Sequence, residues 1–565
     1  MRSGLVRHCP PTSSDVLLAA SGSPIIGPRR HPADHPSHHL LMRTPASPFW
    51  PIASGLTLLA AAGCIISRGV VVERVSHTAR DSVRVTSPVK AHLGDGSIVV
   101  YAKGMSIARN QVFGNGRRYT PLLSELQPVD SIPLDSVIGM ETFRTEINSG
   151  STIVYSTLAT AATLVGGIGL ACLADPKCFG SCPTFYADSA GVPVLEAEGF
   201  SYSIAPLLEA RDVDRLRTQP DTAGIVRLQV WNEALETHYI NHLALLETTH
   251  LAGEFVLPDE RGRPVAVARY VDGVRATDRA GRNVTSLLDR ADGMLFTSAD
   301  TTLGAVTAQD MDDHIDLVFQ RPAGSDSVAI VLRMRNSLLN TILFYDFMLA
   351  RPGARSLDWM EQDLGRIGPT VALGKWYSGR LGLRIYVDGG SGFEQVVKLS
   401  DYGPIAWRDV AAVIPVRGAG DSVRVRLAFL ADQWRIDRLS VAASVRHLPA
   451  REIKPLAVEG ASNTLEPIAL RAVSSADENY LKTSPRQRFT VAFDVGRSDA
   501  STRRTFLLVS QGYYTEWVRG SWMTGVRDTT AFKPEDATLL RALRSWRAEK
   551  DSMEKQFYRS RIPVQ

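Results

Sequence analysis

The sequence lacks an excess of either charge, and this argues against one broad class of partners. Its 63 lysine and arginine residues nearly balance its 59 aspartate and glutamate residues, giving a formal net charge of +4 over 565 residues. The aromatic residues are spread along the chain and do not alternate with a basic stripe. We therefore expect no nucleic-acid partner, because such a partner needs a concentrated patch of Lys and Arg.

The common cofactor motifs are also missing. The sequence contains neither a phosphate-binding loop nor a dinucleotide fingerprint. Asp388–Gly392 holds a serine among glycines, but Phe393 stands where a nucleophile elbow needs its last glycine. This stretch therefore predicts a hairpin turn. We expect no cofactor, and the sequence offers no recognisable catalytic set.

Cysteine is scarce, with five in the whole chain. Cys172, Cys178 and Cys182 lie close together but lack the Cys-x2-Cys knuckle that is typical of a structural zinc site. In an exported protein we expect a disulfide between Cys178 and Cys182, with free thiols or a metal site as alternatives.

A short apolar run gives the clearest indication of location. It follows Met42-Arg43 and ends in the sequence Leu-Leu-Ala-Ala-Ala-Gly before Cys64. A charged start, an apolar centre and small residues before the end are the pattern of a secretion signal. The ending resembles a bacterial lipoprotein signal, which implies a lipid such as palmitate on Cys64. We expect a protein anchored in the cell envelope, at the outer membrane or at the periplasmic face of the inner membrane. An ordinary signal peptide or an uncleaved anchor is the alternative.

The organisation of the chain follows from changes in its composition. The region upstream of Met42 is rich in Pro, Ser and His and has no apolar period, so it cannot bury a core. The predicted segments are 1–41, a disordered or misassigned extension; 42–63, a lipoprotein-type signal peptide; 64–85, a linker; 86–150, a small β-domain; 151–175, a hydrophobic helix; 176–350, a β-rich region; 351–447, a jelly-roll-like sandwich; 448–533, a β-domain; and 534–565, a C-terminal helix.

Most of the remaining chain predicts β-strands. Residues 224–231, 326–334, 381–387, 422–430 and 505–510 alternate apolar and polar side chains between clusters of turn residues. In the small β-domain, turns are predicted at glycine 104 and at glycines 114 and 116. The predicted fold is mainly β, with several sandwich-like or jelly-roll-like modules, one central hydrophobic helix and a C-terminal amphipathic helix.

One long uncharged stretch interrupts this pattern. No charged residue occurs from Thr152 to Ala174, and the stretch is long enough to cross a bilayer as a helix. Several Ser and Thr residues make it only moderately apolar, so a buried or interfacial helix is the alternative. A spanning helix at 152–174 would make the protein an inner-membrane scaffold.

The end of the chain predicts an amphipathic helix over about 534–560. Pro534 lies in its first turn, and Leu539, Leu543 and Trp546 begin an apolar face. We expect this helix to dock on the preceding domain, and a membrane-surface helix is the alternative.

The best candidate for a metal site is His238-x3-His242 with Glu247 nearby. On a helix these histidines would share one face, but on a strand they would lie roughly 13 Å apart. The alternation through Trp231 favours a hairpin with residues 232–236 as its turn, so metal binding is the weaker interpretation. The acidic run Asp310–Asp316 predicts a solvated loop in preference to a calcium site.

Two blocks resemble known groups of proteins. Residues 178–260, with CFGSCPTFY at 178–186 and NEALETHYIN at 232–241, are similar to a set of bacterial envelope proteins of unknown function. That resemblance implies no activity. Residues 381–441 resemble a galactose-binding-like jelly roll, which implies a face that binds a glycan or a protein.

Together these features favour a membrane-anchored envelope lipoprotein with a binding or assembly role and no catalysis. Its expected partners are the membrane, through Cys64 and the segment 152–174, and a glycan or an envelope protein. The aromatic residues at 512–517 are more typical of a core than of a sugar-stacking surface. The main alternative is an envelope enzyme that acts on glycans or peptides through a pair of carboxylates.

Overall fold

The computed structural model describes residues 82–120, 125–143, 183–418, 420–460, 463–497, 503–523 and 532–559. The strands in chain order are β1 Val83–Val85, β2 Val89–Leu93, β3 Ile98–Tyr101, β4 Met105–Ala108, β5 Gln111–Tyr119, β6 Glu125–Pro133, β7 Val137–Thr142, β8 Thr184–Ser189, β9 Val192–Glu198, β10 Ala210–Arg215, β11 Ile225–Trp231, β12 Glu236–His250, β13 Phe255–Pro258, β14 Pro264–Tyr270, β15 Arg275–Asp278, β16 Asp312–Gln320, β17 Ser327–Asn336, β18 Leu383–Asp388, β19 Phe393–Leu399, β20 Arg408–Pro415, β21 Ser422–Leu430, β22 Trp434–His447, β23 Arg451–Ile453, β24 Ala457–Glu459, β25 Leu481–Thr483, β26 Arg488–Asp494, β27 Arg503–Glu516 and β28 Val518–Arg519.

The helices are fewer than the strands in the described residues, and most of them are short. They are α1 Thr285–Leu288, α2 Asp300–Gly304, α3 Leu339–Ile342, α4 Arg355–Asp358, α5 Ile367–Arg380, α6 Pro467–Val473, α7 Gly520–Met523 and α8 Asp536–Arg559. Wider π-helical turns cover Leu343–Ala350 and Trp359–Asp363. The prediction of a mainly β protein is confirmed.

The first module is an eight-stranded sheet, here called the N-terminal sheet. Its strand order is β1-β4-β5-β3-β2-β7-β28, and β6 pairs with β5. A helical layer, formed by residues 339–380, packs on it through Tyr345, Met348 and Leu357. The predicted linker 64–85 therefore ends in a strand, because β1 pairs with β4.

Two glycines predicted to form a turn lie inside strand β5. A Cβ on Gly114 or on Gly116 would lie 2.8 Å from the ring of Tyr101. Glycine is therefore required here for close packing against a buried ring, and the predicted turn at these positions is wrong. Gly104 does sit in a turn, with a φ of 81°.

The second module, here called the first sandwich, consists of two five-stranded sheets. One has the order β24-β26-β11-β8-β9; the other has the order β10-β27-β12-β23, with β25 paired to β12. The core between them includes Phe185 and Phe493 from one sheet and Leu243 and Phe506 from the other. Both sheets draw on strands from distant parts of the sequence.

The third module, here called the second sandwich, also has two five-stranded sheets. Their orders are β13-β14-β22-β17-β20 and β15-β16-β21-β18-β19. Its core combines side chains such as Ile330 and Val441 with Leu317 and Phe429 of the opposing sheet. The alternating runs 326–334 and 422–430, which were predicted as strands, supply Ile330 and Phe429.

The predicted segment boundaries do not coincide with the limits of the sheets. Strand β17, from the predicted region 176–350, pairs with β22 of the region 351–447. Strand β12 pairs with β27 of the region 448–533. The sequence indicates where strands lie, but their partners depend on contacts between segments that are far apart in the chain.

The residues around Trp231 also differ from their prediction. Strands β11 and β12 belong to the two opposing sheets of the first sandwich, so they do not form a hairpin. Asn232 stabilises the connection from one sheet to the other, because its side-chain amide donates to the carbonyl oxygens of Glu236 and Thr483.

The C-terminal helix forms as predicted but docks elsewhere. The side chains of Leu539, Leu543 and Trp546 are fully buried. Their cluster includes Leu343 and Leu430, so α8 packs on the helical layer and the second sandwich, and not on the region 448–533. The apolar face of the helix is therefore used within the protein.

Candidate binding cleft

A cleft of about 470 Å³ lies where the N-terminal sheet, the helical layer and the first sandwich meet. Its lining residues are Lys90, Thr142, Phe143, Ile204, Ala205, Pro206, Tyr239, Met360, Glu361, Leu364, Gly365, Glu478, Tyr480, Lys482, Tyr513 and Thr515. We call it the tyrosine cleft. Its volume falls in the range of small-molecule sites, roughly 300–1,000 Å³.

Three neighbouring strands place two tyrosines and a lysine in one row. Tyr513 of β27 and Lys482 of β25 are the cross-strand partners of Tyr239 of β12. Directly opposed residues of antiparallel strands lie on the same face of a sheet. The rings of Tyr239 and Tyr513 are parallel with centroids 4.5 Å apart, and Nζ of Lys482 lies 5.5 Å from the Tyr239 centroid. The Tyr239 ring therefore lies between Tyr513 on one side and Lys482 on the other, and the row is a packed aromatic stack with a cation at its edge.

Tyr480 completes this aromatic wall. Its ring meets those of Tyr239 and Tyr513 edge-on, at centroid distances of 6.2 and 5.4 Å. The Tyr480 hydroxyl donates to Oε2 of Glu209 at 2.8 Å. The other oxygen of Glu209 accepts hydrogen bonds from Asn241 and Gln511. These contacts hold the Tyr480 ring in one orientation.

A buried polar network joins the N-terminal sheet to the first sandwich behind the cleft. Lys90 Nζ and His92 Nε2 lie 3.0 and 3.1 Å from Oε1 of Glu141. Thr237 Oγ1 donates to the other Glu141 oxygen at 3.0 Å and accepts from the indole N–H of Trp517 at 3.0 Å. The His92 ring stacks on Trp517 with centroids 3.7 Å apart. The network fixes how the two walls of the cleft are placed.

The charge of this network follows from its partners. Burial alone would raise the pKa of Glu141, but Lys90 and His92 together hold that pKa well below its usual range. Burial lowers the pKa of His92, against the effect of its hydrogen bond to Glu141. Near neutral pH, Glu141 is therefore ionised and His92 is neutral. The positive charge of Lys90 compensates the negative charge of Glu141.

A second buried group lies on the opposite face of the same strands. Glu236 and Glu516 are cross-strand partners that are 0% and 2% exposed. Burial raises the pKa of Glu236 to about 8 and that of Glu516 well above its usual value. Nε2 of His238 lies 2.6 Å from Glu236, and burial lowers the pKa of His238 to about 3. These groups are sealed inside the protein, so they cannot touch a ligand in the cleft.

The structure does not bring the predicted metal candidates together. His238 contacts Glu236, whereas His242 lies beyond a β-bulge with Nε2 3.7 Å from Glu452. Glu247 is occupied by the guanidinium groups of Arg451 and Arg504. No group of three His, Cys, Asp or Glu side chains in the described ranges could hold a metal ion. The strand separates these residues because it extends by about 3.3 Å per residue.

The other sequence candidates also take structural roles. The predicted solvated loop at 310–316 is wrong for residues 312–316, which lie on β16. Asp310, just before the strand, pairs with Arg279, and Asp312 and Asp316 pair with Arg384 and Arg426. The predicted hairpin at 388–392 is confirmed, since β18 pairs with β19 across it.

The aromatic run 512–517 divides between core and cleft. Trp517 and Tyr514 are buried, and Tyr513 lines the cleft. The expectation that these aromatics pack in a core therefore applies to part of the run.

Several predictions fall on residues outside the described ranges. These are the lipidation of Cys64, the disulfide between Cys178 and Cys182, and the hydrophobic helix at 151–175. Within the ranges that the structure describes, none of the helices combines the length and the apolar character that a membrane span needs.

Sequence reasoning missed most of the cleft. Lys90, Tyr239, Tyr480 and Lys482 come from three separate stretches, and none of them belongs to a known motif. The only signal is that Tyr239 falls in the block at 232–241. Cross-strand register, which the sequence does not reveal, makes these residues neighbours.

Comparison with known proteins adds no assignment to this geometry. The chain matches no family model, and it matches no curated protein. The resemblances of residues 178–260 and 381–441 therefore stay predictions, and the function has to be argued from the cleft and from the leader.

Proposed function

We propose that this protein is a membrane-anchored protein of the bacterial cell envelope that binds a ligand in the tyrosine cleft. The observation that carries the binding role is the wall of Tyr239, Tyr480 and Tyr513, whose rings are held by contacts with one another and by the bond of Tyr480 to Glu209. Side chains held in place lose little conformational freedom on binding, which favours affinity. The lipoprotein-like leader that ends at Cys64 supports the location.

The placement of the titratable groups favours binding over catalysis. A general acid or base has to reach the reacting atoms, either directly or through one water. The groups with strongly raised pKa values, Glu236 and Glu516, are buried on the far side of the sheet. Lys90, which does line the cleft, is paired with Glu141.

The anchoring is tested by metabolic labelling with an alkyne-tagged fatty acid. We expect the native protein to carry the label and the Cys64→Ala variant to lose it. Label that persists in Cys64→Ala, or no label on either protein, would contradict lipidation at this cysteine.

The binding role is tested by photo-crosslinking in cells with benzoylphenylalanine placed at Tyr480. The matched control carries the same group at Tyr270, which is 46% exposed and does not line the cleft. We expect an adduct of defined mass at 480 and none at 270. The absence of any adduct at 480 would refute ligand binding in this cleft.

A second proposal is that the cleft hydrolyses a glycan or a peptide. Its support is that two carboxylates, Glu361 of the helical layer and Glu478 of the first sandwich, line the same cleft. Glycoside hydrolysis commonly needs two such groups. The Glu478→Gln variant would then abolish turnover of any substrate found by crosslinking, whereas a pure binding role predicts no turnover by either protein.

A further inference from the structure

The surface of the cleft indicates the chemistry of its ligand, if the proposed binding function holds. Tyr239 and Tyr480 are partly exposed and lie against each other edge-on, so some of their ring surface reaches the cleft. Tyrosine offers a large flat contact with few rotatable bonds. A ligand that has flat apolar faces of its own would use this surface best.

The polar groups around the tyrosines carry both signs of charge. Lys482 is cationic, whereas Glu361 and Glu478 are anionic. Thr142 adds a hydroxyl at the end of β7. A ligand with a strong net charge would be repelled by one half of this set. A ligand rich in hydroxyl groups, which both donate and accept hydrogen bonds, would satisfy both halves.

We propose that the tyrosine cleft binds a neutral oligosaccharide. Pyranose rings have an apolar C–H face that packs on an aromatic ring, and their hydroxyls lie at the ring edge. In this cleft, one sugar face packs on the ring of Tyr480, beside the stacked pair of Tyr239 and Tyr513, and the hydroxyls bond to Lys482 and Glu478. The ligand class rests on the proposed binding function, but the two can fail separately.

The test is calorimetric titration of the full-length protein in detergent with four probes. Two are neutral tetrasaccharides, cellotetraose and chitotetraose; the third is the polyanion tetragalacturonic acid, and the fourth is a proline-rich decapeptide. We expect one neutral tetrasaccharide to bind, and we expect the polyanion and the peptide not to bind. Aromatic grooves also recognise proline-rich peptides, so the fourth probe tests the most direct competitor.

Variants then assign the binding to the aromatic wall. Tyr480→Ala should weaken binding about tenfold, the usual scale of one stacking ring. Tyr480→Phe keeps the ring and gives up the hydrogen bond to Glu209, so its affinity should stay within about threefold of the native value. Tyr270→Ala, at an exposed tyrosine outside the cleft, should bind as the native protein does.

A further variant changes a cleft residue at a position where the substitution should not disturb folding. Glu478 is exposed in the loop before β25, so Glu478→Gln should fold normally. It should weaken binding several-fold, because the amide accepts a hydroxyl proton less strongly than a carboxylate does.

Several outcomes would overturn the proposal. These are no binding by either neutral tetrasaccharide, binding of the polyanion or the peptide alone, and neutral-saccharide binding that Tyr480→Ala and Glu478→Gln leave unchanged. If such a result came together with a crosslinked adduct at position 480, the binding function would stand and only the ligand class would fall.

Discussion

At the scale of single residues, the most unusual arrangement is the pair of glutamates inside the first sandwich. Oε2 of Glu236 and Oε2 of Glu516 are both buried and have no hydrogen-bond donor among the described residues. Two neighbouring buried carboxylates repel each other when both are ionised, and the guanidinium of Arg519, 3.3 Å from Glu516, offsets only part of that repulsion. A proton shared by the pair removes that repulsion, in keeping with their raised pKa values.

This pair predicts how stability changes with pH. Glu236 has a pKa of about 8 in the folded protein and about 4.5 when unfolded. Between these values the unfolded chain loses a proton that the folded protein keeps, so the free energy of unfolding falls as pH rises from about 4.5 to 8. Glu236→Gln has no proton to lose at this position and should remove part of the fall, roughly 1–3 kcal/mol.

The measurement is urea unfolding of both proteins at several pH values between 5 and 8. Asp214 also has a raised pKa, of about 7, and contributes equally to both curves. Parallel curves for the native protein and the variant would mean that Glu236 is ionised throughout this range.

At the scale of elements, one short turn recurs three times. In Asp221–Gly224, Asp259–Gly262 and Asp278–Gly281, the glycine N–H donates to the carbonyl oxygen of the aspartate, and the glycine has a positive φ. Each aspartate Oδ1 also accepts two backbone N–H groups of its own turn. The same bonds therefore recur at these three Asp-x-x-Gly sites in both sandwiches, whereas in Asp188–Gly191 the glycine N–H donates to the aspartate side chain.

Substitution of these glycines should separate backbone strain from steric clash. A Cβ at Gly281 meets nothing within 4 Å, whereas one at Gly224 would lie 2.5 Å from the backbone of Gly496. Gly281→Ala should cost about 1–2 kcal/mol from its left-handed backbone alone. Gly224→Ala should cost about 1–3 kcal/mol more, because overpacking adds to that strain. If urea unfolding shows that both variants lose the same free energy of unfolding, the backbone around Gly224 shifts enough to relieve the clash.

Local elements were largely predictable, whereas the cleft was not. Residues 225–231 and 422–430 alternate over most of their length, so each specifies a strand with one buried face. Leu539 and Trp546 specify the apolar face of α8 in the same way. In contrast, Tyr239 and Lys482 become neighbours only through pairing between β12 and β25, which are separated by most of the second sandwich in sequence. A pattern within one segment carries no information about such pairing.

At the scale of the whole molecule, a buried ion cluster joins the two sandwiches. Arg408 of β20 bonds to Asp214 and Asp212 of β10, at 2.5 and 3.3 Å, and its guanidinium lies over the ring of Tyr402. Arg408 and Asp214 are 6% and 5% exposed. Because water is excluded, each charge depends on the other for compensation.

Removal of this arginine should be far more costly than removal of an exposed one. Arg408→Met leaves two aspartates without their cation and should cost about 3–5 kcal/mol in the free energy of unfolding. The matched control is Arg417→Met, which breaks a pair with Asp326 whose side chains are 77% and 69% exposed. It should leave the free energy of unfolding almost unchanged, because water screens an exposed ion pair. Similar losses for both variants would mean that the junction does not depend on the buried cation.

The pairing of β28 with β7 has a consequence for the order of assembly. Val518 lies beside Met140, so the N-terminal sheet receives its last strand from near the end of the chain. A ribosome adds about 5–20 residues per second, so β7 waits on the order of tens of seconds for this partner. Until then, the edge of β7 and the ring of His92, which later stacks on Trp517, lack their final cover. A truncation before Trp517 should therefore harm the first module of this protein as well as its last.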